Sequence, residues 1–259
     1  MSTAPWHVQR SGDGPPLVLL HGWAMHGGVF DLLLPRLQAN WTLHRVDLPG
    51  HGLSPAGTLQ LGDLAASLAD HFGAAHWLGW SLGGLVALQL ALDHPQQVRS
   101  LSLVGASPRF TTAADWTCAV DGSVFAQFAQ ALEQDVGRTL ERFLALETLG
   151  AEHAQDERHW LRQLLQRVPT PSADVLTEGL QLLQGTDLRG RLPELRCPNL
   201  WLGGRRDRLV PPAALEWAAR AAPNGRAVIF DQAAHAPFIG RPDAFAETLA
   251  DFLATAGTC

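Results

Sequence analysis

An α/β fold, with a mostly parallel sheet covered by helices on both faces and an all-helical insertion, is what this sequence predicts. Three observations carry the prediction. Short apolar runs alternate with helical stretches through the first hundred residues and again from about residue 199. Such alternation is the signature of parallel strands joined by helices. Between these halves, residues 110–187 lose every strand-like run and read as helix after helix. And the pentapeptide Gly79-Trp80-Ser81-Leu82-Gly83 lies between an apolar strand-like run and a long apolar helix, where a serine on a tight strand-to-helix turn needs small neighbours.

In chain order, Leu17 to Leu20 reads as a buried strand ending at His21-Gly22. Leu43 to Val46 is a second, running into Asp47-Leu48-Pro49-Gly50-His51-Gly52. A helix follows from Asp63 to Phe72, with Asp63 as its expected N-cap. Ala75 to Gly79 is the strand before the serine turn. The helix after it is closed before His94-Pro95, and Leu101 to Val104 is a further strand. Amphipathic stretches then span Val124 to Gln134, Arg138 to Leu149, Arg158 to Val168 and Val175 to Gln184, punctuated by Pro169 and Pro171. Strand–helix alternation resumes at Asn199 to Leu202, Ala213 to Ala222, Ala227 to Phe230 and a closing helix from Asp243 to Leu253. The expected organisation is a core in two parts, residues 1–109 and 188–259, around a helical lid at 110–187.

Bulk properties narrow the function classes. The 259-residue chain is long enough for one large buried core. With 46% hydrophobic and 17% charged residues it reads as an ordinary globular protein. A formal charge of −6 argues against nucleic-acid binding, which favours basic surfaces. Cys118, Cys197 and Cys259 are odd in number and widely spaced, suggesting neither a disulfide framework nor a zinc site. Met1 to Arg10 has no basic-then-apolar leader, and the longest apolar run, Leu82 to Leu92, is too short to cross a bilayer. The expected location is the cytoplasm, without membrane attachment.

A serine hydroxyl needs a base within hydrogen-bond reach, and that base needs an orienting acid. Candidates belong in loops after strands, at the same sheet edge as Ser81. His235 follows the strand ending at Phe230, among small apolar neighbours. Asp207 follows Trp201-Leu202-Gly203-Gly204; Asp187 and Asp231 are the weaker alternatives, one before its strand and one very close in sequence to the histidine. The order Ser81, Asp207, His235 is one of the known arrangements of a nucleophile, acid and base. Backbone amides of Leu82, at a helix start, and of Trp23, after His21-Gly22, are the expected oxyanion donors. The plainer alternative is a glycine-rich turn whose serine only caps the helix.

His21-Gly22, the stretch Asp47 to Ser54, the Ser81 turn and the Asp207 and His235 loops together resemble the α/β-hydrolase superfamily, over the whole chain. Trp77 to Ala87, Arg142-Phe143-Leu144-Ala145-Leu146 and Ala233 to Ile239 are more specific, and resemble the pimeloyl-[acyl-carrier protein] methyl ester esterase family of biotin synthesis. That resemblance implies a serine carboxylesterase with no cofactor and no metal, acting as a monomer on an ester carried by acyl-carrier protein. It implies an apolar substrate channel lined by Trp23, Trp80, Phe143 and Leu146. It also implies docking of the acidic carrier on lid arginines. Arg138 and Arg142 match, while Gln155 and His159 stand where further arginines are expected; Arg158 and Arg162 are the substitutes. Two other outcomes stay open: a broad carboxylesterase or other hydrolase of the same fold, and a catalytically inactive ligand-binding protein.

Overall fold

The computed structural model describes residues 6–256; Cys259 and the first five residues lie outside them. Seven strands form one sheet: β1 (Val8–Ser11), β2 (Pro16–Leu20), β3 (Thr42–Val46), β4 (Ala75–Trp80), β5 (Val98–Val104), β6 (Asn199–Gly204) and β7 (Gly225–Phe230). Their spatial order is β1-β3-β2-β4-β5-β6-β7. All neighbours pair in parallel except β1, which runs antiparallel to β3. The sequence reading did not include β1. Its Val-Gln-Arg-Ser run has no apolar face, and pairing with β3 at the sheet edge makes it a strand.

The helices are α1 (Leu34–Leu37), α2 (Leu61–Phe72), α3 (Leu82–Asp93), α4 (Gly122–Gln134), α5 (Val136–Glu147), α6 (Ala154–Leu165), α7 (Ala173–Gly185), α8 (Pro212–Ala221), α9 (Pro237–Gly240) and α10 (Pro242–Ala256). The sheet buries a cluster on each face. Val18, Leu20, Trp77 and Trp201 join α2, α3 and α8 on one side; Leu17, Leu19, Leu78, Trp80, Leu200 and Leu202 join α9 and α10 on the other. Successive side chains of a strand point to opposite faces, so strands covered on both sides read as unbroken apolar runs. Helix α3 is buried almost all round, which fits its uniformly apolar sequence.

Four helices, α4 to α7, fall between β5 and β6. Residues 110–121, at the start of this stretch, are not helical but form a loop closed by the bridges Thr111 to Val120 and Ala113 to Trp116. Helices α4 and α7 contribute Phe125, Phe128, Leu176 and Leu180 to the same apolar cluster as α3, while α6 contributes Leu161 and Leu164 to the other. Several helix starts differ from the sequence reading: α4 to α7 begin at Gly122, Val136, Ala154 and Ala173, each before the expected residue, and α2 begins at Leu61 with Gln60 at its cap and no capping side chain. Asp63 lies instead in the first turn, where its charge favours the positive end of the helix dipole.

Candidate active site

Ser81 joins β4 directly to α3, and its backbone has φ 53° and ψ −115°. That conformation is costly for any residue with a Cβ and persists only where the surroundings enforce it. Here they do. A Cβ on Gly79 would lie 2.3 Å from the Gly83 carbonyl, and one on Gly83 would lie 2.3 Å from the Leu20 carbonyl. Helix and strand therefore approach at a distance only glycine allows, and Ser81 must turn sharply between them. The Ser81 amide is tied to the Val104 carbonyl at the end of β5 (2.9 Å). Its side chain makes no helix-capping bond, so the plainer reading of a capping serine is not what the fold uses.

His235 reaches the same spot from the loop after β7. Gly105, the residue following Val104, has φ +49°, and a Cβ there would lie 3.0 Å from His235 Nδ1. The imidazole thus lies against the end of β5, the strand end that also holds the Ser81 amide. It is fully buried. Nδ1 donates to Asp207 Oδ2 at 2.8 Å, since a carboxylate can only accept. Nε2 consequently presents its lone pair, and it is buried without a hydrogen-bond partner. The other carboxylate oxygen, Asp207 Oδ1, accepts the amides of Leu209 (2.8 Å) and Val210 (3.0 Å). Burial pulls the imidazole toward its neutral form, but the charge and hydrogen bond of Asp207 outweigh it and raise the His235 pKa. The two alternative acids are occupied elsewhere: Asp187 by Arg109 and Arg189, Asp231 by Arg205.

His21 organises the opposite wall. Its Nδ1 donates to the Gly22 carbonyl (2.8 Å) and its Nε2 accepts the Leu48 amide (2.9 Å), stapling the loops after β2 and β3 together. Burial and the neighbouring His51 hold its pKa well below the usual histidine value, so it stays neutral. Gly22 packs tightly here: a Cβ would lie 3.0 Å from the Trp80 ring. Trp23 follows, with its indole Nε1 donating to the Leu176 carbonyl of α7 (2.8 Å) and its ring edge-on to Phe143 at 4.6 Å. Leu82 is the first residue of α3, where the helix itself supplies no acceptor for the amide. Helix α7 passes directly over both: a Cβ on Gly179 would meet Trp23 Cδ1 at 2.8 Å and Leu82 Cδ2 at 3.4 Å.

Of the residues expected to line an apolar channel, Phe143 is buried against Trp23, and Leu146 is partly buried against the same cluster. Trp80 is fully buried, with its ring against the Gly22 backbone and 5.7 Å from the His235 ring. Strand periodicity turns it to the opposite sheet face, where it packs on Phe238, and its Nε1 donates to the His235 carbonyl (3.1 Å). It supports the histidine loop from beneath. The expected docking arginines also divide. Arg138 and Arg142 are exposed on α5 and, among the described residues, have no acidic partner; Arg142 lies over the Phe128 ring at 5.7 Å. Arg162 is held by both oxygens of Glu141 at 2.6 Å, and Arg158 is half-buried with its Nε enclosed and unpartnered. Of the two substitutes for the missing arginines, Arg162 is thus paired with an acid on the neighbouring helix, while no acidic partner of Arg158 is found among the described residues. Among the described residues no cluster of His, Cys, Asp and Glu has the makings of a metal site.

Sequence reasoning missed Gly105, Gly179 and Glu147. Only Glu147 left a usable trace: it continues the buried stripe of α5 set by Leu140, Phe143 and Leu144.

Comparison with known proteins agrees with this fold. The α/β hydrolase fold family matches residues 15–242. The chain is 50% identical over 250 residues to the pimeloyl-[acyl-carrier protein] methyl ester esterase of Xanthomonas campestris pv. campestris, covering 96% of this chain and 98% of that one. It is 48% identical to the protein of the same description in Stenotrophomonas maltophilia, covering 96% of each. Among solved structures, an esterase from Exiguobacterium antarcticum superposes with a TM-score of 0.87 at 24% identity, over 96% of this chain and 95% of that one. An enol-lactonase from Burkholderia xenovorans gives 0.84 at 23% identity, covering 96% of each chain. The chain belongs to the α/β-hydrolase fold family, and within it to the group of the pimeloyl-[acyl-carrier protein] methyl ester esterases.

Proposed function

We propose that this protein is a serine carboxylesterase that hydrolyses the methyl ester of pimeloyl-acyl-carrier protein, releasing methanol and the free carboxylate. The observation that carries the chemistry is the buried His235 imidazole, fixed on Asp207 at 2.8 Å with Nε2 unclaimed beside the strained Ser81 turn. The near full-length identity to esterases of that substrate supports the choice of ester.

Ser81 Oγ attacks the ester carbonyl carbon while His235 Nε2 takes its proton. Negative charge gathers on the carbonyl oxygen, between the amides of Trp23 and Leu82; each such donor contributes ~3 kcal/mol to the transition state. The imidazolium, stabilised by Asp207, returns the proton to the departing methoxy oxygen, and methanol leaves an acyl-serine. Water then attacks the acyl carbon, giving its proton to Nε2, and collapse restores the Ser81 hydroxyl and frees the acid. Residues 110–187 act as the lid, with Trp23, Phe143 and Leu146 against the methylene chain. Arg138 and Arg142 are the docking cations for the acidic carrier. The reading makes the enzyme a monomer of the cytoplasm; no described helix is long and apolar enough to cross a membrane.

The test is turnover of methyl pimeloyl-acyl-carrier protein beside a short p-nitrophenyl ester. Arg138→Glu with Arg142→Glu raises KM for the carrier-linked ester by tenfold or more and leaves the small ester within twofold. A second reading, a broad carboxylesterase, is favoured by the pairing of Arg162 with Glu141, which offsets one of the expected docking cations. Equal effects on both substrates, or no hydrolysis of the carrier-linked ester, would select that reading instead.

A further inference from the structure

Glu147, the last residue of α5, is 1% exposed, and both its carboxyl oxygens are buried without a hydrogen-bond partner. A carboxylate so placed lacks every donor that could replace water. The main chain around it has an evident task. The Glu147 carbonyl accepts the His235 amide (3.1 Å), the Glu152 amide donates to the Gln232 carbonyl (3.0 Å), and Arg206 Nη1 donates to the Gly150 carbonyl (2.8 Å). Three bonds thus clamp the end of α5 and the turn after it onto the loops that carry Asp207 and His235. The carboxyl lies inside this clamp.

We infer that Glu147 is a positioning residue for His235, whose carboxyl must be in its uncharged form for the end of α5 to stay seated on the histidine loop. This rests on the reading of His235 as the catalytic base. The charges acting on the carboxyl are those of His235 and Asp207; Glu152 and His153 stand outside at the surface, and Arg206 is turned to Gly150. Burial pushes the Glu147 carboxyl up to about 8, opposed by a histidinium at 235 and reinforced by the Asp207 charge.

Linkage gives the sign. The seated state prefers the protonated acid, and the unseated, hydrated carboxyl returns toward 4.5. Seating is at full strength below that value and weakens about tenfold per pH unit as pH rises toward 8, then levels off. Glu147→Gln keeps the shape and removes the proton, so its seating does not vary with pH through this group.

Two measurements decide the matter. Hydrogen exchange of the His235 amide reads the clamp without reference to activity. The wild-type protection factor should fall by up to about a hundredfold between pH 6 and pH 8, and that of Glu147→Gln should stay flat. The ratio of kcat for Glu147→Gln to wild type, on a p-nitrophenyl ester, should rise over the same interval and level off above it. Parallel protection curves would overturn the inference, and so would a kcat ratio that does not change with pH, since a merely structural carboxyl would leave it constant. Loss of turnover in Ser81→Ala tests the catalytic reading separately, so failure of one is distinguishable from failure of the other.

Discussion

Replacing Asp207 by asparagine separates orientation from packing at the proposed catalytic pair. Asp207 Oδ1 holds the Leu209 and Val210 amides, and Oδ2 holds His235 Nδ1. Alanine would strand two buried donors, at about 1–3 kcal/mol each, and confuse catalysis with folding. Asparagine keeps its carbonyl on the two amides and turns its NH2 toward the imidazole. Nδ1 must then accept, the proton moves to Nε2, and Nε2 can no longer take the Ser81 proton. The same substitution in a serine-protease triad lowers kcat by about 10⁴, or about 5.4 kcal/mol at 1.36 kcal/mol per decade. The assay is kcat/KM on a p-nitrophenyl ester with thermal unfolding in parallel. A loss of 10³–10⁴ with Tm shifted by only a few degrees is expected. A loss below tenfold would refute the assignment of Asp207 as the orienting acid. Asp187→Asn and Asp231→Asn, whose carboxylates serve arginines, should stay within twofold of wild type.

Other perturbations probe the scaffold. Gly179→Val forces a Cβ to within 2.8 Å of Trp23 Cδ1; overpacking of this kind costs about 1–3 kcal/mol. The expected result is a Tm lowered by roughly 2–12 °C for a chain of this size, with reduced kcat/KM, measured by thermal scan and ester hydrolysis; unchanged values would mean α7 is not seated on Trp23. Trp80→Phe removes the donor to the His235 carbonyl and part of a fully buried ring. The combined cost is about 2–4 kcal/mol by urea unfolding, with a lower kcat; a change under about 0.5 kcal/mol would show that this bond does not hold the loop.

Much of this architecture was legible because its determinants are local. Strands buried on both faces appear as apolar runs, as Leu17 to Leu20 and Asn199 to Leu202 do, and helices between β5 and β6 such as α5 announce themselves by a single buried stripe. Ser81, Asp207 and His235 could be picked out because each follows a strand end, and the fold brings the last two into a hydrogen bond. What escaped depends on partners distant in sequence. Strand β1 exists by pairing with β3. Arg162 reads as a free cation until Glu141, on the neighbouring helix, is seen beside it. Trp80 adjoins Ser81 in sequence, but its bond to the carbonyl of His235, far along the chain, could not be read from that position. Glu147 escaped because a carboxylate ordinarily faces solvent, although its place on the buried stripe of α5 argued otherwise.

The central claim is that Ser81 is the activated nucleophile. A fluorophosphonate probe reacts with such a serine and leaves an adduct that peptide mass spectrometry can place. One adduct, on Ser81, abolished in Ser81→Ala together with ester hydrolysis, is the predicted result. An unlabelled but hydrolytically active protein, or an adduct on any other residue, would contradict it.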